Sequence, residues 1–243
     1  MTGRRRISGS SSMKLYDAII NATKDAAGGA RRLPERPAWP DPGQSELVMQ
    51  RDAAFELGGS GCPSVNYTCV TTAQLPFDGD ILLLGRDLPE LKKDTAFARI
   101  VLLQTDEISE DDEGHDMIRS MEYVRYHVFP KGYMVRVSST SFEEQVRVSK
   151  DAVKRGINFA AVGAAYLERY RAVKGVRRAQ ILFITDESAV KALRPNAKKV
   201  DDITKTLSHI LDGLPTDCSH CTLKPVCDEV EGMKEMHLGR KKA

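Results

Sequence analysis

No apolar run in this sequence approaches the roughly 18–20 residues that a membrane-crossing helix requires. The longest candidates, such as residues 181–184, are strand-sized. A signal peptide is also missing: Arg4, Arg5 and Arg6 are followed by small polar residues with no apolar segment after them. Residues 1–12 therefore read as a disordered leader or a fusion scar, and they stay out of the fold reasoning. Charge of one sign is scarce. Thirty-six Lys and Arg against 34 Asp and Glu leave a net +2, too little to argue for a nucleic-acid partner. Five unevenly placed cysteines do not make a disulfide framework, so a reducing, cytoplasmic compartment is the expectation. Phosphate-loop signatures are lacking as well. Gly58-Gly59-Ser60-Gly61 is neither a dinucleotide fingerprint nor followed by the Gly-Lys-Ser/Thr of a P-loop. No internal repeat is present.

What remains is ordinary for a globular chain of 243 residues, with 41% hydrophobic and 29% charged residues. Apolar periodicity predicts a helix over 14–27, with Leu15, Ala18, Ile19 and Ala22 on one face and Gly28-Gly29 after it. Residues 31–43 hold Pro34, Pro37, Pro40 and Pro42 around the single Trp39. Proline lacks the amide donor, so this is an extended arm, with Trp39 as its anchor. Strands are expected over 53–57, 64–72, 80–84, 98–104, 133–137 and 179–185, from β-branched and apolar runs bounded by turn residues. The acidic run 106–116 reads as the dipole-complementing start of a helix carrying Met117, Met121, Val124 and Val128. Ser141 and Glu144 have capping-box spacing, which predicts a helix from there through Arg155, stopped by Gly156. Phe159, Val162, Tyr166, Tyr170 and Val173 stripe the next helix. Asp186 caps a short one that Pro195 breaks, and Val200, Ile203, Leu207 and Ile210 line a last one. The fold class is α/β, a mixed sheet with flanking helices, plus a short cysteine-rich tail. The divisions are 1–12, then 13–46 (helix and arm), 47–213 (the α/β domain) and 214–243 (the tail).

Two features carry chemistry. In the tail, Cys218, Cys221 and Cys227 stand within ten residues, the first two as Cys-x-x-Cys. Such a loop aims two thiolates at one centre, and the third thiol closes around it. The competing reading is a redox dithiol or unrelated buried thiols; redox Cys-x-x-Cys pairs normally follow a strand and open a helix, which this one does not. The fourth position is open to His220, to His237, to Cys62 or Cys69, or to a partner. The spacing fits a Cys₃His zinc site and an iron–sulfur cubane alike.

The second feature is a basic stretch over 147–178, with nine Arg and Lys against Asp151 and Glu168. Its plain reading is the solvated faces of two helices. Its sharper reading is an anion site for a phosphorylated cofactor or an acidic partner, with Arg147, Lys150, Lys154 and Arg155 as candidate residues.

Three stretches carry a resemblance. They are Ala54-Phe-Glu-Leu-Gly-Gly59, then Val146-Arg-Val-Ser-Lys-Asp-Ala-Val-Lys-Arg-Gly156, then Ala179-Gln-Ile-Leu-Phe-Ile-Thr-Asp-Glu-Ser-Ala-Val-Lys191. In order and distance they resemble the middle domain of acetyl-CoA synthase, the nickel–iron–sulfur subunit of the carbon monoxide dehydrogenase complex, over about 52–193. By that likeness Cys218, Cys221 and Cys227 match the first ligands of a [4Fe–4S] cluster, and the basic stretch matches an arginine-rich region associated with coenzyme A. The spacing to Cys227 is shorter than the family's, and the Cys-Gly-Cys that holds nickel there has no counterpart. The family's amino-terminal domain has none either. The resemblance therefore implies an accessory iron–sulfur protein of anaerobic one-carbon metabolism, without acetyl-CoA synthase activity of its own. Its partners would be a corrinoid protein, a methyltransferase or another redox protein, with no nucleic acid and no membrane. An enzyme using an open cluster iron and a zinc-stapled binding module are the alternative readings.

Overall fold

The computed structural model describes residues 16–59, 61–106, 112–136, 140 and 142–211; of the side chains of 112–115 and 207–211 nothing is said. In chain order the elements are α1 (Asp17–Ala26), β1 (Arg31–Arg32), β2 (Ala53–Leu57), β3 (Ser64–Thr71), β4 (Ile81–Leu84), β5 (Phe97–Thr105), α2 (Asp112–Val124), β6 (Tyr133–Arg136), β7 (Gln145–Ser149), α3 (Lys150–Lys154), α4 (Phe159–Arg171), β8 (Val176–Ile184) and α5 (Glu187–Leu211).

The three most apolar runs become the centre of one sheet. β8 pairs in parallel with β4, Ile81 opposite Ile181, and antiparallel with β5, Ile100 opposite Leu182. β3 extends the sheet parallel to β5, and β1 caps β4, giving the order β1-β4-β8-β5-β3. Strands covered on both faces need not alternate: β4 is Ile-Leu-Leu-Leu, whereas β3 is buried at every position although it carries Ser64, Asn66, Thr68 and Thr71. α4 lies against β8 and β4, and α5 lies over β3 beside α1. Successive side chains point to opposite faces. Tyr67 therefore reaches α1, its hydroxyl 2.7 Å from that of Thr23. Asn66, and Arg99 opposite it on β5, face the other way.

A second, three-stranded antiparallel sheet has the order β2-β7-β6. The expected mixed sheet is thus divided in two, because β7 exists. The helix predicted over 141–155 is absent: 145–149 is a strand, and only Lys150–Lys154 is helical. Val146 and Val148 alternate with half-buried Gln145, Arg147 and Ser149, the period of a strand. Ser149 is the true N-cap, accepting from the Ala152 amide at 3.1 Å.

The predicted break at Pro195 is a second correction, since α5 runs through it. Proline forfeits one amide bond and crowds the preceding turn. Against that, Val190, Leu193, Ala197, Val200 and Ile203 form one buried stripe on both sides of it. Each fully buried aliphatic side chain contributes about 1.5–3 kcal/mol, so the stripe outweighs the defect. In α1 the buried face is Ile19, Ile20 and Thr23, following Tyr16; Ala18 is exposed, because the larger side chains take the core.

The proline arm is pinned to the body. Leu33 donates its amide to Ile81 (2.9 Å) and Trp39 donates its own to Ala161 (2.9 Å). The Trp39 indole N–H donates to the Lys131 carbonyl at 2.8 Å, and Arg155 lies over the ring. Among the described residues no helix is long and apolar enough to cross a membrane.

Candidate functional site

Cys218, His220, Cys221 and Cys227, the predicted metal ligands, lie outside the described residues, as does His237. Among the described residues no group of three or more His, Cys, Asp and Glu side chains is placed to hold a metal ion. Cys69 lies in the middle of β3, fully buried in the apolar core. Burial, then the charge of Glu122, pushes its thiol well up. Cys62 follows the glycine turn, half-buried, and burial with Asp94 and Glu187 raises it too. Both therefore favour the neutral thiol over the thiolate that ligation requires.

The four candidate anion-binding residues occupy β7, α3 and the residue after it. Arg147 is engaged inside the protein: Nε donates to Glu56 Oε1 at 2.7 Å and Nη1 to the Val48 carbonyl at 3.0 Å. Arg136 shares Glu56 through its other oxygen, at 3.0 Å. Lys150 donates to the Arg51 carbonyl (2.8 Å), and Arg155 pairs with Asp151 (2.9 Å) while covering Trp39. Lys154 is exposed on α3. The pairing of β2 with β7 explains the first contact, since Glu56 and Arg147 are cross-strand neighbours.

Further along the basic stretch the arginines are also spoken for. Asp80 holds two of them, Arg171 at 2.6 Å and Arg178 at 3.2 Å. Arg177 pairs with Asp106 at 2.7 Å, and Arg169 approaches Asp41 at 3.8 Å. Most of these carboxylates lie far away in sequence, so the stretch reads as more basic than its folded surroundings are.

The strongest electrostatic feature is one the sequence reading passed over. Arg99 interrupts an apolar strand and is 1% exposed; its Nη2 donates to Glu144 Oε2, whose side chain is 4% exposed. The guanidinium carbon lies 4.3 Å from the centre of the Tyr166 ring. Burial opposes the charge on Arg99, but the charge of Glu144, with smaller contributions from the Tyr166, Tyr170 and Tyr133 hydroxyls, outweighs it, and its pKa is raised. Burial pushes the Tyr170 hydroxyl up to about 12 despite Arg99, and the Tyr133 hydroxyl well up. Glu122, from α2, completes the cluster beside Arg125 (3.5 Å); burial raises its carboxyl, and Arg125 and Arg99 oppose the shift. Arg99 Nε and Nη1, Glu144 Oε1 and the Tyr133 hydroxyl have no hydrogen-bond partner among the described residues. Buried polar atoms of this kind are the usual partners of internal water. The cluster is charge-balanced and enclosed, so its plain role is to fix how the two sheets meet. The sequence signal was a lone arginine inside Ala98-Arg99-Ile100-Val101, which a solvent-facing strand position does not explain.

Comparison with protein-family models finds no family that matches this chain, and comparison with curated proteins finds no relative.

Proposed function

We propose that this chain is an accessory iron–sulfur protein of one-carbon metabolism, related to acetyl-CoA synthase, in which the α/β body carries a cysteine-held cluster to a redox partner. The observation behind the reading is the mutual position of the resembling stretches. Residues 54–59 and 146–156, far apart in sequence, hold all but the first residue of β2 and of β7, which are hydrogen-bonded neighbours joined by Glu56 and Arg147. The third stretch contains residues 179–184 of central strand β8 and opens α5, and α5 runs to Leu211, a few residues before Cys218. The likeness thus falls on paired strands and the helix leading to the cysteines, not on scattered surface segments.

The chemistry of the donor set fits the group. Three thiolates from Cys218, Cys221 and Cys227, with His220 available beside them, suit an iron–sulfur cluster, and zinc as the second choice. When bound, such a cluster supplies one-electron transfer. The protein's share is to supply the thiolates that hold it. The set leaves no thiolates for nickel, so carbon monoxide should not exchange into acetyl-CoA on this protein alone. A corrinoid protein is the proposed partner, a methyltransferase or another redox protein the others. Of the four residues proposed for coenzyme A, Arg147, Lys150 and Arg155 are engaged within the protein, and Lys154 is the one left open to it.

The functional test is anaerobic. Dithionite-reduced protein, freed of excess reductant, is mixed with an oxidised corrinoid protein, and the corrinoid spectrum is followed. Reduction of the corrinoid that disappears in the Cys221→Ser variant is the expected result. Equal reduction by that variant would contradict electron delivery through the cysteine centre.

A further inference from the structure

One cleft, of about 310 Å³, opens between the proline arm and α4. That volume is at the lower end of small-molecule sites, which span roughly 300–1,000 Å³. It is roomy enough for an amino acid or a dipeptide. Its floor is apolar, from Leu33, Ile81, Ala164 and Leu167, and its walls are charged.

The walls are firmly built. Gln180 Nε2 donates to the carbonyls of Phe77 and Gly79, both at 2.6 Å, and holds the loop leading into β4. Gly79 has φ +88, and a Cβ there would fall 2.7 Å from the Arg32 side chain, so glycine lets Arg32 lie across the loop. Asp80 fixes Arg171 and Arg178 from below. A preformed wall spares a ligand the cost of ordering it.

The charge pattern selects the ligand. Arg32, Arg36, Arg171 and Arg178 face Glu35, Asp78, Asp80 and Glu168, so the lining is neutral as a whole. Not all of it is internally satisfied. Arg36 on the arm, Glu168 on α4 and Asp78 on the loop have no ion-pair or hydrogen-bond partner among the described residues. The two arginines on Asp80 share one carboxylate and so keep a surplus positive charge. A polyanion would come up against Asp78 and Glu168, and a diamine against Arg36 and the Asp80 pair.

We propose that the cleft binds a small zwitterion of the amino-acid or dipeptide class, its carboxylate directed to Arg36 and Arg171 and its ammonium group to Asp78 and Glu168. Guanidinium forks match a carboxylate geometrically, and the apolar floor accepts the ligand's aliphatic part.

The test is calorimetric titration of the full chain with glycylglycine and L-leucine, with inorganic phosphate and 1,5-diaminopentane as ligands of one sign. The zwitterions should bind more tightly than either single-sign ligand. Arg36→Gln and Glu168→Gln should each weaken them about tenfold, the loss of one charge-assisted contact. Both side chains are exposed, so thermal unfolding should stay unchanged in these variants. Tighter binding of phosphate or diamine, no zwitterion binding at concentrations on the order of 10 mM, or affinities indifferent to both substitutions would overturn the assignment.

Discussion

Two carboxylate–arginine centres tie this fold together in opposite settings. Glu144 and Arg99 meet at 4% and 1% exposure, one just ahead of β7 and the other on β5, so their contact joins the two sheets. Glu56 holds Arg147 and Arg136 within the smaller sheet, at 13%, 15% and 36% exposure. The chemistry is the same, but the surroundings decide what it is for. The buried pair gave up its hydration to form, so losing one partner strands a charge where water cannot reach it. The half-buried group keeps contact with solvent, which screens it and lessens its contribution. The first centre specifies how the sheets dock, and the second trims a strand pairing that backbone hydrogen bonds already fix.

The comparison breaks most readily at Arg99. Arg99→Met should lower unfolding stability by about 3–5 kcal/mol, because Glu144 is left buried and unpaired. Adding Glu144→Met should recover part of that loss. Urea denaturation of the single and double variants measures both, and additive losses would mean the two residues do not act as a pair. At the other centre Glu56→Gln should cost only about 1 kcal/mol, with Arg136 able to turn to solvent and Arg147 still held by the Val48 carbonyl. A loss there equal to that of Arg99→Met would erase the distinction.

A smaller effect sharpens the picture through pH. The folded state raises the Glu122 carboxyl above its ordinary range, by burial against the opposing pull of Arg125. In the window between the ordinary value and the raised one, the folded state holds more protons than the unfolded. Stability from this group is therefore full below that window and falls as pH rises through it. Glu122→Gln should flatten the decline above the ordinary glutamate value. Unfolding curves for both proteins across that range give the difference, and parallel profiles would place Glu122 in an ordinary, solvated environment.

Which parts of this architecture the chain announces follows from the range of the interactions. β4 and the cores of β5 and β8, residues 100–103 and 181–184, were legible because strand segments buried on both faces form continuous apolar runs, a purely local property. The α4 stripe was legible for the same reason. The capping-box spacing of Ser141 and Glu144 misled because Glu144 is committed to Arg99, 45 residues earlier, and the chain between Gln145 and Ser149 follows the two-residue period of a strand. Pro195 misled because α5 is held by tertiary burial rather than by its own propensity. The basic stretch was visible as composition. Its partners Glu56, Asp80 and Asp106 lie 91, 91 and 71 residues from the arginines they hold, beyond any local pattern. Arg99 had a signal in the sequence, a charge inside an apolar run, but nothing local named its partner. The cysteine spacing carries the expectation of a ligand set, and Cys218–Cys227 fall outside the described residues.

The central claim is that those cysteines hold an iron–sulfur centre on this α/β body. Iron and sulfide analysis of anaerobically purified wild-type and Cys221→Ser protein tests it most directly. The wild type should carry roughly four iron and four sulfide per chain, and the variant should lose them while the body unfolds at the same midpoint. A wild-type protein with neither iron nor zinc at stoichiometric level, or a Cys221→Ser variant that keeps its full metal content, would contradict the claim.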